Sequence, residues 1–389
     1  MTGSRSDFDR FLGPDKRLPA RPTGLAAFVS VVGALVLVGL IVLWPRGEVD
    51  VDLGVIGFAD DTVGAEVIAV EPRPCSYAPD LVCTAVDVDV TAGDNAGDSV
   101  SLEFPDEPGQ PVLAAGDRLF LSVVMGEDGQ TFFQYADRDR RLLLGVLALG
   151  FSLAVVGLGR MRGFAALAAL AFSIGLLLVF ILPAILVGRD AVLVALIGGG
   201  AIALVSLYVA HGYSQLTHAA ALGIFGALLL TVVLSWVVVA VAGFSGLTGD
   251  GFFLIAIPDL DLGGLVLAGV VLGALGAIDD VTVTQASAVW EVHKANPALD
   301  RRSLYQAGIR VGRDHIVSTV NTLLLAYAGA SLPLLILSSL SAQPLGVVAS
   351  SEVVAVEIVR TLVGSVGLVA AVPVTTWLSA RIASSDRAM

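Results

Sequence analysis

At 389 residues, 56% hydrophobic and 15% charged, with a mean hydropathy of +0.86, the chain falls outside the soluble globular class and reads as an integral membrane protein. Its net charge of −13 is unevenly carried: acidic residues crowd between Glu48 and Asp139, while Lys and Arg gather in short segments elsewhere. Nucleic acid, which needs a basic face, is thereby excluded as a partner.

Residues 1–23 are polar and hold Arg5, Arg10, Lys16, Arg17 and Arg21. The apolar run 24–44 that follows is long enough to span a bilayer, and basic residues before a first span predict a cytoplasmic N-terminus. The run is long for a signal peptide and ends in WPRGE, without a small-x-small cleavage site, so it reads as an anchor.

Between Val49 and Asp137 the pattern changes to short alternating runs, GAEVIAVEP, CTAVDVDVTA, DSVSLEF, DRLFLSVVM and QTFFQYAD, separated by Gly, Pro, Asp and Asn. Five strands in a small acidic segment predict an extracytoplasmic β-rich domain, residues 45–141, for which an OB-like barrel is the nearest architecture. Cys75 and Cys83 both fall here; a disulfide is expected if the segment faces an oxidising compartment, and two free thiols are the alternative.

Beyond Arg141 the apolar runs 142–158, 163–187, 191–210, 219–242, 263–290, 315–340 and 353–380 predict seven further spans, a membrane domain of residues 142–381 and a cytoplasmic tail of 382–389. Charge supports the parity. Arg160 and Arg162, then Lys294, Arg301, Arg302, Arg310 and Arg313, then Arg381 and Arg387 share the side of the N-terminus, while Asp250, Asp259, Asp261 and Glu352 lie opposite. Both termini are therefore expected in the cytoplasm. Pro183, Pro333 and Pro373 interrupt spans, and Phe252 to Pro258 is too short to cross, so it either re-enters the membrane or lies on it. The fold class is an all-α polytopic membrane protein of about eight transmembrane helices, with a small OB-like domain after the first.

The stretch GALGAIDDVTVTQASAVWE sets two carboxylates, Asp279 and Asp280, in an otherwise apolar span, where ionised groups are expensive and usually have a use. On a helix Asp280 shares a face with Gly269, Gly273, Gly276, Thr284 and Ser287, a small and polar face expected to look inward; Asp279, about 100° round, leads to Thr282. Counting from the connecting loop puts Asp280 at the depth of Asn321 in the next, antiparallel span. That span carries Asp314, Ser318 and Asn321 on one face and His315, Thr319 and Thr322 on the adjacent one. Carboxylates opposite hydroxyls and an amide suit cation coordination or proton relay, and equally suit polar glue between helices. The candidate ion- or substrate-binding set is Asp279, Asp280, Thr284, Gln285, Ser318, Asn321 and Thr322.

Glu357 and Arg360 are spaced for an intrahelical ion pair. His211 and His218, in HGYSQLTH, lack the companions of a usual metal site, and the sequence requires no cofactor. No GxSxG, P-loop or kinase-like motif is present and no nucleophile, base and orienter assemble, so no enzymatic activity is expected.

The stretches LGALGAIDDVTVTQASAVWEV, VGRDHIVSTVNTLLLAYAGASLPLL and SSEVVAVEIVRTLVGSVGLVAAVPVTT, with the earlier YVAHGYSQLTHAAALG, resemble the YibE/F-like family of bacterial multipass membrane proteins. The resemblance implies an anchor, an extracytoplasmic β-rich domain and a permease-like helical domain in the plasma membrane, and implies no substrate. The expected function is a membrane transporter or channel for a small ion or solute, with the lipid bilayer as its surroundings. The alternative is a binding or scaffold protein acting through the outer domain. Whether the glycine face packs within one chain or in a homo-oligomer is open from sequence.

Overall fold

The computed structural model describes residues 24–47, 62–93, 95–125, 130–247, 251, 254–255, 257, 260–341 and 343–385. The N-terminal tail, most of the run Phe252 to Pro258 and the last four residues lie outside them. The chain divides into two compact units, residues 50–157 and the remainder.

The first unit is built on five strands, β1 (Thr62–Cys75), β2 (Ala78–Val90), β3 (Ser99–Pro105), β4 (Arg118–Met125) and β5 (Thr131–Arg138), in the order β3-β2-β1-β4-β5 with every neighbour antiparallel. Alternation in the sequence sets one face inward: Val63, Ala65 and Val67 of β1, Val86, Val88 and Val90 of β2, Leu102 of β3 and Leu119 and Leu121 of β4 form its core. β1 pairs along its length with β2, Val67 facing Val88, but only through Thr62–Glu66 with β4. The ring of Phe104 on β3 meets that of Tyr135 on β5 edge-on, 5.6 Å between centroids. Cys75 and Cys83 are joined in a disulfide across the β1–β2 turn, both buried. Ion pairs fasten the surface: Arg73 to Asp87 at 2.7 Å, Arg138 to Asp117, and Arg140 to Asp137 at 2.7 Å. Hydrogen bonds from Arg141 hold the Asp139 carboxyl far below the usual carboxylate range, at about 2.

The helices are α1 (Gly24–Leu43); α2 (Arg141–Leu176), broken at Arg160, whose φ is 51°; a π-helical turn (Leu177–Ile181) leading to α3 (Leu182–Leu186); α4 (Ala191–His211); α5 (Gln215–Ala242); α6 (Leu262–Ala295); α7 (Arg301–Ala330); α8 (Leu332–Ser339); α9 (Leu345–Ser350); and α10 (Glu352–Ser385). Among the described residues six segments are long and apolar enough to cross a membrane, with Arg141–Leu186 counted as one; α7 and α8, bent by 69° at their junction, make a seventh if taken together. Their starts are written in the sequence as capping residues. Asp190, Ser214, Asp261 and Asp300 each accept a hydrogen bond from the backbone N–H three residues on, satisfying a donor that the helix leaves open. Pro333 sits in the first turn of α8, where a missing N–H costs little, whereas Pro183 comes just after the π-helical turn and Pro373 lies inside α10.

α4, α5, α6 and α10 enclose the main core of this unit, centred on Leu207, Ile224, Leu228, Ile278 and Leu368. One of its closest approaches is at Gly223 of α5, where a Cβ would collide with the Thr375 hydroxyl of α10 and press on the methyl of Thr282 of α6. Glycine here lets three helices meet, the role small residues play between helices in membranes. Where the loop after α5 meets α10, Glu352 at the start of α10 accepts from the backbone N–H of Ser245 at 2.7 Å and of Gly246 at 2.6 Å, and from the Ser245 hydroxyl.

Candidate functional site

The site begins with the phase of α6. Its buried stripe, including Val271, Ala274, Ile278, Val281 and Gln285, is fixed by contact with α5, α7 and α10, which leaves Asp279 on the side facing α4 and Asp280 exposed. The expectation that Asp280 occupies the inward face is therefore corrected: the inward carboxylate is Asp279. The physical reason lies in the glycines. Gly269 and Gly273 do make room for neighbours, the Arg360 guanidinium and the Tyr327 hydroxyl, but a Cβ at Gly276 would meet open space, and beyond it the face stays uncovered at Asp280 and Thr284.

Asp279 lines a cavity of about 500 Å3 between the second half of α2, α4 and α6. Its walls are mostly apolar, among them Leu170, Ile174, Leu177, Leu272 and Leu275, with Ser173, Ser206, His211 and Asp279 as the polar side chains. The Ser206 hydroxyl lies 3.3 Å from Asp279 Oδ2 and 3.2 Å from the Ala203 carbonyl, so its single proton is shared between the two acceptors. Asp279 Oδ1 is buried and accepts no hydrogen bond. A carboxylate with one oxygen near a hydroxyl and the other buried without a partner, beside an apolar cavity, has an unmet polar atom that a proton or a cation could satisfy.

The remaining sequence-derived residues are not brought to this point. Asp280, Thr284, Ser318, Asn321 and Thr322 are exposed, and no hydrogen bond joins any of the last four to either aspartate. Thr322 instead donates to the Ser318 carbonyl at 3.0 Å. Gln285 is buried, and its Nε2 donates to the Gly308 carbonyl at 2.8 Å and to the Thr376 hydroxyl at 2.6 Å, pinning α6, α7 and α10 together. Its amide is thus engaged in structure. Sequence reading missed Ser206, Ser173 and the cavity-facing position of His211. A lone serine in ALVSLYVAH carries no signal of its own, since it lies 73 residues from its partner.

His211 and His218 go separate ways: the His218 Nδ1 lies 3.1 Å from the Tyr208 hydroxyl, and its ring meets Tyr213 edge-on at 4.4 Å. In α10 Arg360 donates to Glu357 at 2.6 Å, the intrahelical pair that the spacing allows.

The family model for YibE/F-like proteins matches residues 147–385, more than half of the chain. The chain belongs to the YibE/F-like family. The matched region holds every residue of the Asp279 cavity, whereas α1 and the five strands precede it. No curated protein and no solved structure matches the chain.

Proposed function

We propose that this YibE/F-like protein is a permease-like transporter or channel for a small ion or solute in the bacterial plasma membrane, with Asp279 as the group that exchanges a proton or cation. The observation that carries the reading is the half-partnered Asp279 carboxylate on the wall of an apolar cavity. A carboxylate kept in such a place purely for packing would have both oxygens satisfied. Ser206 positions the group, and Ser173 and His211 offer further polar atoms along the same wall.

The topology proposed with it has eight spans and both termini in the cytoplasm. The break at Arg160 divides Arg141–Leu186 into two spans, α7 with α8 forms one bent span, and α1, α4, α5, α6 and α10 supply the rest. Arg160 and Arg162 then fall on the cytoplasmic side with the α6–α7 loop. For the strand unit we propose an extracytoplasmic OB-like barrel. The strand order and the Phe104–Tyr135 contact between the two outer strands support closure into that circuit.

The test is flux into liposomes that hold the purified protein, followed with proton- and cation-sensitive dyes under imposed gradients. Asp279→Asn is expected to abolish flux and Ser206→Ala to slow it, both with wild-type folding, while Asp280→Asn leaves it within about twofold. A fully active Asp279→Asn variant would overturn the reading.

A further inference from the structure

One face of α7 is exposed, mixes polar and apolar residues, and is spaced like a seam. Arg310, Asp314, Val317, Asn321 and Leu324 follow at alternating steps of four and three, all exposed, Val317 at 74% and Leu324 at 48%, with Arg313 and Ser318 flanking them. The opposite face, Leu304, Gly308, Gly312 and Leu323, is the one buried in its own chain. Among the described residues no ion pair or hydrogen bond engages the side chains of Arg310, Arg313, Asp314 or Asn321. Lipid does not satisfy the Asn321 amide, which falls within the expected span 315–340, so this face costs free energy there until something polar covers it, while Arg310, Arg313 and Asp314 stand just before that span at its proposed cytoplasmic end.

The charges say what covers it. In an assembly with its two-fold axis along the membrane normal, each residue meets residues at its own depth in the partner. Arg313 and Asp314 are neighbours of opposite sign within about 1.5 Å of rise, so each arginine reaches the other copy's aspartate and the pairing is reciprocal. Asn321 meets Asn321, and a primary amide both donates and accepts, as a buried asparagine does in a coiled-coil seam. Steps of four and three are the repeat of two helices crossing at about 20°. An unrelated partner would need its own matching pattern; a second copy already has it.

We propose that this face of α7 packs against α7 of a second copy of the chain, parallel to it, as the centre of a homodimer. The proposal stands apart from the Asp279 cavity, and either can fail without the other.

Cysteine cross-linking of the full chain in membranes tests it, the native Cys75 and Cys83 being already joined. Asn321→Cys and Val317→Cys are expected to give a disulfide-linked dimer on mild oxidation, whereas Leu229→Cys, at another exposed position, on α5, is not. In lipid nanodiscs, Arg313→Asp should weaken dimerisation about tenfold, and Arg313→Asp with Asp314→Arg should restore it. A protein that stays monomeric at high loading, equal cross-linking from Leu229→Cys, or a cross-linked band of unequal mass in cells would each overturn the proposal.

Discussion

Replacing Gln285 by leucine separates a structural pin from a ligand. The substitution keeps side-chain size and removes two buried hydrogen bonds, those to the Gly308 carbonyl at 2.8 Å and the Thr376 hydroxyl at 2.6 Å. Each contributes about 1 kcal/mol net, and the hydroxyl still donates to the Val372 carbonyl at 2.6 Å, so only its acceptor side is left bare. Gly312 leaves the space beside the amide free of a Cβ, which lets the leucine fit without overpacking. The expected cost is about 2–3 kcal/mol, or about 4–10 °C in melting temperature for a unit of this size. Tryptophan fluorescence of the detergent-solubilised protein, heated at one fixed rate for both variants, reads the shift without requiring reversibility. Flux per folded molecule should be unchanged. A melting temperature within about 1 °C of wild type, together with lost flux, would refute the pin and make Gln285 a substrate ligand.

Gly223→Val places two methyls where α5, α6 and α10 meet at Thr282 and Thr375, and is expected to cost about 3 kcal/mol or more, read as a sharp fall in the fraction that stays monodisperse in detergent. Removing the disulfide by Cys75→Ser with Cys83→Ser reopens a loop of 8 residues and should cost the strand unit about 2.5 kcal/mol, seen as faster limited proteolysis of residues 62–138. The same unit should weaken in acid. The Asp139 carboxyl at about 2, and those of Asp87, Glu103 and Asp137, also lowered by hydrogen bonds, contribute stability that is present above the ordinary carboxylate pKa and lost as the pH falls below about 4. Circular dichroism of the sheet between pH 5 and pH 2 checks this, and a signal that strengthens on acidification would contradict it.

Much of the architecture is legible along the chain because it depends on local rules. Alternation in GAEVIAVEP and CTAVDVDVTA specifies strands, apolar length specifies helices, and Asp190, Ser214, Asp261 and Asp300 mark where helices begin. The stretches from Tyr208 to Thr376 are distinctive enough to point to the YibE/F-like family. Sequence also fixes that Asp279 and Asp280 stand about 100° apart on one helix. It does not fix the absolute phase of that helix. Which carboxylate turns inward depends on which neighbours pack on α6, and those include α4, α5 and α10 as well as α7, the next helix in the chain. The small residues that seemed to mark one inward face divide their roles: Gly269 and Gly273 admit Arg360 and Tyr327, while Gly276 opens on unfilled space. In the same way Gln285 looks like a ligand until Gly308 and Thr376 are seen beside it, and Ser206 looks like nothing until the fold brings it to Asp279. Composition, periodicity and capping are properties of neighbours in sequence, so the chain alone determined the elements. Helix phase and side-chain pairing are properties of neighbours in space, and only the tertiary structure decided them.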